Sequence, residues 1–371
     1  MNGKDYKRLG DYISPTMERN EGLKVKLSQG INNNKYFQTP RQVAQDSEND
    51  QIVRKGQFAY NKATTRNGEK ISIAYREGED CTVSSAYQVF YINDEKQLNP
   101  HYLMMWFKRP EFDRYARFKS HGSAHEFFTW EEMCNVMLPV PSIEEQSRIV
   151  TEYQAVERRI ANNEKLIQKL EETAQTIYHN MFVDGIDEEN LPNEWRKGTL
   201  GDITNIVMGQ SPDGDSFNKE GFGEIFYQGR TDFGFRIPSV RVYTTEPTRY
   251  ANYKDILMSV RAPVGDLNVA PFRCCIGRGL AAICEKGRRN SFVFYTLLNK
   301  KDAFKVSDDA GTIFGSINKE ELYNLEIIIP EDGLITKFDN ECNKLDNLVE
   351  NVEKENNALL QLKSLLTSKL A

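Results

Sequence analysis

The sequence is poor in the features that mark secreted, metal-bound and membrane proteins. It has six cysteines in 371 residues and no Cys-x-x-Cys pair, so neither a disulfide framework nor a structural zinc site is predicted. No apolar run approaches the about 18 residues that a membrane-spanning helix needs. No secretion signal is recognisable at the start. We therefore expect reduced thiols in a cytoplasmic protein.

Catalytic and cofactor motifs are also missing. The chain has four histidines and no Gly-x-x-x-x-Gly-Lys phosphate loop. Gly277-Arg278-Gly279 lacks the third glycine of a dinucleotide motif, and Asn99-Pro100-His101-Tyr102 is better explained as a helix start than as part of a methyltransferase site. His121 and His125 have helical spacing but no third ligand nearby. We predict no active site, no metal and no cofactor in this chain.

The acidic charge is confined to particular segments. The net charge of −6 is unevenly distributed. Residues 1–141 hold 20 basic and 18 acidic side chains, and residues 195–330 hold 18 basic and 16 acidic ones. Residues 142–194 hold 5 basic and 12 acidic side chains, and residues 331–371 hold 5 and 8. The first pair of segments is therefore slightly basic, which agrees with nucleic-acid binding without establishing it.

Two acidic segments carry the pattern of long paired helices. Apolar residues recur in steps of four and three from Ile149 to Met181, and again from Phe338 to Leu370, 189 residues later. This heptad pattern predicts helices that pack against a partner helix. At about 1.5 Å per residue, each helix is expected to be about 50 Å long.

One asparagine interrupts each apolar series. Asn163 is the fifth member of the first series and Asn356 the sixth of the second, so an antiparallel pair brings both amides into one layer. A buried asparagine lowers stability but fixes the register. The predicted neighbours are Asn163 and Asn356, Ile160 and Leu359, and Ile167 and Val352. The alternative is two unrelated surface helices whose asparagines face water.

The chain contains one plan twice. Leu9-Gly10-Asp11 recurs as Leu200-Gly201-Asp202, and Pro141 recurs as Pro330. A long fixed period indicates a repeated structural unit. We predict an α+β fold of two mixed helix-and-strand domains, separated by two long antiparallel coiled-coil helices, with a pseudo-twofold internal repeat. The predicted boundaries are a first globular domain at 1–141, a first long helix at 142–183, a connector at 184–194, a second globular domain at 195–330 and a second long helix at 331–371.

Local patterns predict the elements inside the two domains. The expected strands are Gln57–Asn61, Ile71–Tyr75, Tyr87–Ile92, Ile256–Val260, Ala281–Glu285 and Leu325–Ile329. The expected amphipathic helices are Pro100–Phe118 and Arg289–Phe304.

Polar loops differ between the two copies and hold the candidate binding residues. Arginine pairs with guanine edges and phosphates, while asparagine and glutamine suit adenine. Any single residue of this kind is equally well explained as a solvated charge, but the whole set favours DNA recognition. The first copy offers Asn61, Lys62, Arg66, Lys70, Arg114, Arg117, Lys119 and His121. The second copy offers Gln210, Ser211, Gln228, Arg230, Arg236, Arg241, Arg249, Arg261 and Arg278.

Several stretches resemble a known family. The run from Leu138 to Val150, which contains Pro-Ser-Ile-Glu-Glu-Gln, is similar to the conserved region of specificity subunits of type I restriction-modification enzymes. Leu9-Gly10-Asp11 and Gly209-Gln210-Ser211-Pro212 resemble the openings of their target recognition domains. Pro330-Glu331-Asp332-Gly333 lacks the Glu-Glu-Gln of the first copy. The order of domain, helix, domain, helix agrees with the family over nearly the whole chain.

The resemblance implies a DNA-specificity subunit without catalysis. Each target recognition domain of such a subunit reads one half of a split double-stranded DNA target, and the helices set the spacing. Two modification subunits, which carry S-adenosylmethionine and methylate adenine, and restriction subunits, which use ATP, are the implied partners. Two alternatives remain at this point: a pseudo-symmetric coiled-coil adaptor that binds proteins, and an enzyme that works alone.

Overall fold

The structure is a computed structural model that describes residues 5–40, 48–63, 70–120, 126–304 and 316–370. The chain divides into two compact units, residues 1–160 with 359–371 and residues 161–358. Both units mix strands with helices, so this is a two-domain fold of mixed secondary structure. No helix in the described ranges combines the length and the apolar character needed to cross a membrane.

The two long helices span Ile143–Phe182, with 40 residues, and Asp332–Ser368, with 37. At about 1.5 Å per residue, they are about 60 and 55 Å long. The first turn of the first helix holds Glu144 and Glu145, where the positive end of the helix dipole stabilises negative charge. Each helix contributes residues to both units.

Gln146 fixes the start of the first long helix to the domain that precedes it. Its side chain is fully buried. The Oε1 atom accepts a hydrogen bond from the Asn99 backbone at 2.8 Å, and Nε2 donates to the carbonyls of Gln97 and Pro141 at 2.9 Å each. The glutamine of the Glu-Glu-Gln motif therefore has a structural role. In the second copy of the repeat, the equivalent position, 189 residues later, is Ile335, which is buried and apolar.

The first unit is built on a four-stranded antiparallel sheet. Its strand order is Ile13–Thr16, Tyr87–Ile92, Phe58–Asn61 and Ile73–Tyr75. Three smaller antiparallel pairs join Tyr6–Arg8 to Met137–Pro139, Gln51–Val53 to Cys81–Val83, and Gly30–Ile31 to Phe37–Gln38. Phe58 lies opposite both Phe90 and Tyr75, and its ring packs on theirs at 5.0 and 4.8 Å.

An aromatic core connects this sheet to helices. The α-helices in the described part of this domain are Pro100–Phe107, Pro110–Lys119 and Trp130–Cys134. Val150 and Tyr153 of the first long helix, and Leu370 beyond the end of the second, belong to the same buried cluster. Burying aromatic rings removes a large apolar area from water, which stabilises this junction.

One predicted helix is in fact two. Pro100–Phe118 was expected as a single helix, but the structure breaks it between Phe107 and Pro110. Proline has no N–H to donate, and it forces the residue before it into an extended conformation. Arg109 accordingly has φ −74° and ψ 138°. Pro110 therefore starts a new helix.

The second unit contains two larger sheets. The antiparallel sheet has the order Thr204–Met208, Leu280–Glu285, Ile256–Ser259 and Leu267–Val269. The mixed sheet has the order Phe217–Asn218, Tyr243–Thr244, Glu224–Tyr227, Cys274–Ile276 and Tyr250–Ala251. An antiparallel pair joins Arg196–Thr199 to Glu326–Ile329. Besides the long helices, the α-helices in its described residues are Leu200–Ile203, Asn290–Asn299 and Lys319–Tyr323.

The helix predicted at Arg289–Phe304 is shorter in the structure. It covers Asn290–Asn299, and Lys301–Phe304 forms a separate 3₁₀ turn. Its buried run ends at Leu297, the next residue, Leu298, is partly buried, and Asn299-Lys300-Lys301 after it are polar. Polar side chains provide no apolar face to hold a further α-helical turn against the core.

Both long helices also enter the core of the second unit. Tyr178 and Phe182 pack edge to face on Phe338 at 5.8 and 5.2 Å. Ile167 shares a buried cluster with Val349 and Val352. Along these contacts, earlier residues of the first helix meet later residues of the second.

The two asparagines of the heptad pattern are both buried. The Asn163 amide donates to the carboxylate of Glu355, the neighbour of Asn356, at 3.0 Å. The side-chain oxygen of Asn356 is buried without a hydrogen-bond partner among the described residues. The partner found for Asn163 is thus an acidic side chain one residue away from the predicted one.

Candidate nucleic-acid interface

Loops of the second unit converge on the short segment from Gly277 to Gly279. Backbone hydrogen bonds hold these loops together: Gly277 N donates to Tyr227 O at 2.8 Å, and Val260 N donates to Gly279 O at 2.9 Å. Gln210 N donates to Ile276 O at 3.0 Å, while Ile276 N donates to Arg249 O at 2.9 Å. The Ser211 hydroxyl accepts from Arg278 N at 3.3 Å. Residues far apart in the sequence therefore share one surface.

Glycine residues, which have no side chain, permit this close packing. A Cβ atom on Gly209 would lie 2.1 Å from the carbonyl oxygen of Gly277, and one on Gly277 would lie 2.9 Å from that of Gln228. Separations below 3 Å are not tolerated, so only glycine fits these backbone approaches. The glycines of Gly209-Gln210-Ser211 and Gly277-Arg278-Gly279 thus serve loop packing.

Six predicted residues of the second unit are brought together here, in or next to the loops that meet. They are Gln210, Ser211, Gln228, Arg249, Arg261 and Arg278. All except the half-buried Ser211 are exposed. Within the described part of the chain, no carboxylate lies within 4 Å of the guanidinium groups of Arg249, Arg261 and Arg278, so their charge is available to an anionic ligand.

Arg230 and Arg241 are exposed but paired with carboxylates. Arg230 pairs with Asp266, which Lys301 also contacts at 2.6 Å. Burial favours the neutral acid, but these two cations outweigh it and lower the pKa of Asp266. Arg241 binds the buried Asp232 at 2.5 Å. Both arginines would have to exchange a protein partner for any ligand.

Arg236 does not belong to a ligand-facing set. Only 3% of its side chain is exposed, and its guanidinium pairs with Glu171 and with Asp346. It also donates to the Tyr295 hydroxyl at 3.0 Å and stacks on the Phe294 ring at 4.0 Å. A residue so enclosed has no surface to offer DNA, so the prediction that Arg236 contacts DNA is wrong.

The first unit has a basic groove with a volume of about 990 Å³. It lies among the loop around Asn33, the helix Pro110–Lys119 and residues 360–367 of the second long helix. Among the described residues that line it, six side chains are basic and only that of Asp113 is acidic. The basic members are Lys35, Lys70, Lys108, Arg114, Arg117 and Lys363.

Most cations of this groove have carboxylate partners. Lys35 is buried against Asp113 at 2.6 Å, and Arg114 contacts Glu111 at 3.1 Å across an exposed surface. Lys108 and Lys363 share Glu157, at 3.1 and 2.8 Å. Of these pairs, the exposed one between Arg114 and Glu111 contributes little to stability and exchanges easily.

Three further predicted residues of the first unit, Asn61, Lys62 and Lys119, are not among the described residues that line this groove. The Asn61 side chain accepts from Ala63 N at 3.0 Å and caps the strand end. Lys119 contacts Glu132 at 3.5 Å, and the carbonyl of Lys62 accepts from Phe128 N. Arg66 and His121 lie outside the described residues.

Sequence patterns missed three basic residues of the groove. Lys35, Lys108 and Lys363 come from a loop, a helix end and the second long helix, so no linear motif unites them. The local signal for Lys108 was the Lys-Arg-Pro sequence, in which Pro110 ends one helix, so that Lys108 lies at the turn between two helices. No metal-binding group of three or more His, Cys, Asp or Glu side chains was found among the described residues.

The duplication agrees with a known family. The model described as Type I restriction modification DNA specificity domain matches residues 6–172 and again residues 192–361. The chain belongs to this family. Each of the two matches of the specificity model covers one of the globular domains and most of the long helix that follows it.

Individual relatives show the same resemblance. A putative type I restriction enzyme specificity subunit (MjaX) of Methanocaldococcus jannaschii is 32% identical over 290 residues, which cover 72% of this chain and 67% of the relative. The MjaIX specificity subunit of that organism is 24% identical over 308 residues, with the same two shares. The crystal structure of a type I restriction-modification S subunit from M. genitalium has the same fold, with a TM-score of 0.65 at 15% identity over 100% of this chain and 97% of that one.

Proposed function

We propose that this chain is the DNA-specificity subunit of a type I restriction-modification complex and has no active site of its own. Each globular domain reads one half of a bipartite double-stranded DNA target. The exposed glutamines and arginines near Gly277–Gly279 contact bases and phosphates in the second domain. The basic groove supplies phosphate contacts in the first.

The observation that carries this proposal is the repeated domain with different surface chemistry. The four-stranded sheets of the two units use the same strand order, and the specificity model matches each unit separately. The second unit presents exposed arginines that have no carboxylate partner among the described residues, while the first presents four lysines and two arginines around a groove. One scaffold with two different polar surfaces suits two different half-sites.

The long helices complete the proposed architecture. They form an antiparallel coiled coil whose register depends on Asn163 and Asn356, and a pseudo-twofold axis relates the two copies. The contacts of Ile167 with Val352 and of Asn163 with Glu355 support this arrangement. The length of the helices sets the number of unread base pairs between the half-sites.

The partners follow from the same proposal. Two modification subunits dock on the acidic outer faces of the helices and hold S-adenosylmethionine, and restriction subunits use ATP. This chain needs neither cofactor itself and works in the cytoplasm. The motif asymmetry between Ile143-Glu144-Glu145-Gln146 and Asp332-Gly333-Leu334-Ile335 does not exclude two modification subunits, because the structural role of Gln146 concerns the joint within its own unit.

Methylome sequencing of a host that expresses this chain with its partner subunits tests the proposal. The expected result is a single methylated motif made of two short half-sites around a fixed unread spacer. Duplexes carrying that motif then serve in binding assays. Changing Arg261 or Arg278 to Ala should weaken binding by about 1–3 kcal/mol for each lost contact.

Arg196 provides the matched control for these substitutions. It is exposed in the same unit and pairs with Asp202, so Arg196→Ala should leave DNA binding unchanged. Affinity that does not fall with added salt, together with no effect of Arg261→Ala, would instead favour a protein-binding adaptor.

A further inference from the structure

One loop of the second unit connects the candidate DNA surface to the long helices. It starts at the exposed Gln228 and reaches the buried Arg236 and Ile237. Asp232 braces the first part, since its carboxylate accepts from Gln228 N at 2.7 Å and Gly229 N at 3.3 Å. The loop is therefore held internally between its two ends.

Glu353 of the second long helix holds the far end of this loop. Its carboxylate accepts hydrogen bonds from three successive backbone N–H groups, those of Phe235 at 2.9 Å and of Arg236 and Ile237 at 3.0 Å each. Three N–H donors to one buried carboxylate form a charge-assisted site of fixed geometry. A Cβ atom on Gly234 would lie 2.6 Å from Glu353 Oε1, which shows how closely the loop approaches the helix.

Arg236 adds contacts to both helices. Glu171 belongs to the first long helix and Asp346 to the second, and both carboxylates meet the Arg236 guanidinium. Burying a guanidinium is unfavourable unless it is paired and hydrogen-bonded. Tyr295 and Phe294 enclose it further. The loop thus has one defined position relative to the helices of its unit.

The equivalent helix position of the first unit makes a similar but less buried contact. Glu157 precedes Asp346 by 189 residues, and it contacts Lys108 of the first domain and Lys363 of the second long helix. Lys108 also donates to the Tyr36 hydroxyl at 3.2 Å, next to the groove. Both units therefore use a carboxylate at this position to connect a loop to the helices, and in the second unit the connection is buried.

We propose that Arg236 and Glu353 are positioning residues that set the recognition loop of residues 228–237, so that discrimination at the second half-site depends on contacts with the long helices. This inference rests on the proposed function. It assigns a role in DNA specificity to residues that do not touch DNA.

The test compares Glu353→Gln, Arg236→Lys and the unaltered chain, each in complex with the modification subunits. Glu353→Gln keeps the shape but removes the charge, and Arg236→Lys keeps the charge but removes the planar group. Binding is measured on the methylome-defined duplex and on duplexes with one half-site altered at a time. Both variants should lose about tenfold or more of the discrimination at one half-site only. Discrimination at the other half-site should stay within twofold.

Glu341→Gln is the matched control, because Glu341 is exposed on the same helix; it should change neither half. Hydrogen exchange provides a second readout without DNA: the amides of residues 235–237 should exchange faster in Glu353→Gln. Equal losses at both half-sites, as a folding defect produces, or full discrimination in both variants would overturn the inference. An unaltered complex without sequence preference would instead refute the proposed function.

Discussion

Gly209 shows how much of the candidate surface depends on the absence of a side chain. Its backbone passes so near Gly277 that a Cβ atom would sit 2.1 Å from a carbonyl oxygen. Gly209→Ala should therefore push the two loops apart and destabilise the fold by about 1–3 kcal/mol, as overpacking does in protein cores. DNA affinity should fall as well, because Gln210 and Arg278 move with these loops. Urea denaturation and binding assays measure both effects.

Gly214 in the same region provides the comparison for Gly209. A Cβ atom there meets nothing within 4 Å, so Gly214→Ala should be neutral or slightly stabilising. If the two alanine variants behaved alike, steric packing would not explain the glycine at position 209.

Buried polar residues explain why single-residue predictions succeed unevenly. Arg236 and Arg261 were predicted to bind DNA for the same reason, since both are arginines in the part of the second copy outside its long helix. The structure buries the first among carboxylates and leaves the second exposed. The carboxylates that pair with Arg236, those of Glu171 and Asp346, are more than 60 positions away in the sequence. No local pattern therefore separates these two roles.

The first long helix contains an ionisable contact that makes stability depend on pH. Burial of Glu157 favours its neutral form, but Lys363 and Lys108 outweigh this effect and lower its pKa. A carboxyl whose pKa is lower in the folded state adds stability above its ordinary pKa of about 4.3. That stability is lost as the pH falls through the lowered value.

Glu157→Gln should therefore cost stability at neutral pH but not in strong acid. Because the group is half-exposed, the difference should be only about 0.5–1 kcal/mol. Thermal or urea unfolding between about pH 7 and pH 3 measures it. Glu164→Gln, at an exposed position of the same helix, should follow the unaltered curve throughout. If the stability of Glu157→Gln changed with pH in the same way as that of the unaltered protein, the ion pairs of Glu157 would not explain the pH dependence.

Elements with a strong repeating pattern were predictable from the sequence, and irregular ones were not. Tyr87–Ile92 has the predicted bounds, and the predicted Ile256–Val260 differs from the observed Ile256–Ser259 by one residue. The long helices follow from their heptads. The mixed sheet was missed, because its strands are only two to four residues long. Such strands are fixed by partners distant in sequence, not by local propensity.

At the scale of the whole molecule, the compact units of the structure have other bounds than the globular segments of the sequence. The first domain precedes Ile143, yet its core includes Val150, Tyr153 and Leu370. The compact unit accordingly contains residues 1–160 and 359–371. A recognition domain is thus packed together with parts of both long helices.

This composition of the units predicts how recognition domains can be exchanged. Replacing residues 1–160 together with 359–371 by the equivalent parts of another specificity subunit should change one half of the methylated motif and leave the other intact. Replacing residues 1–140 alone should give the same new half-site in a less stable protein, because a foreign core then meets Val150, Tyr153 and Leu370. Core mismatches of this kind cost about 1–3 kcal/mol. Methylome sequencing and thermal unfolding of both chimaeras measure the two effects. A change in both half-sites would contradict two independent recognition units, and equal stability of the chimaeras would contradict a core shared with the helices.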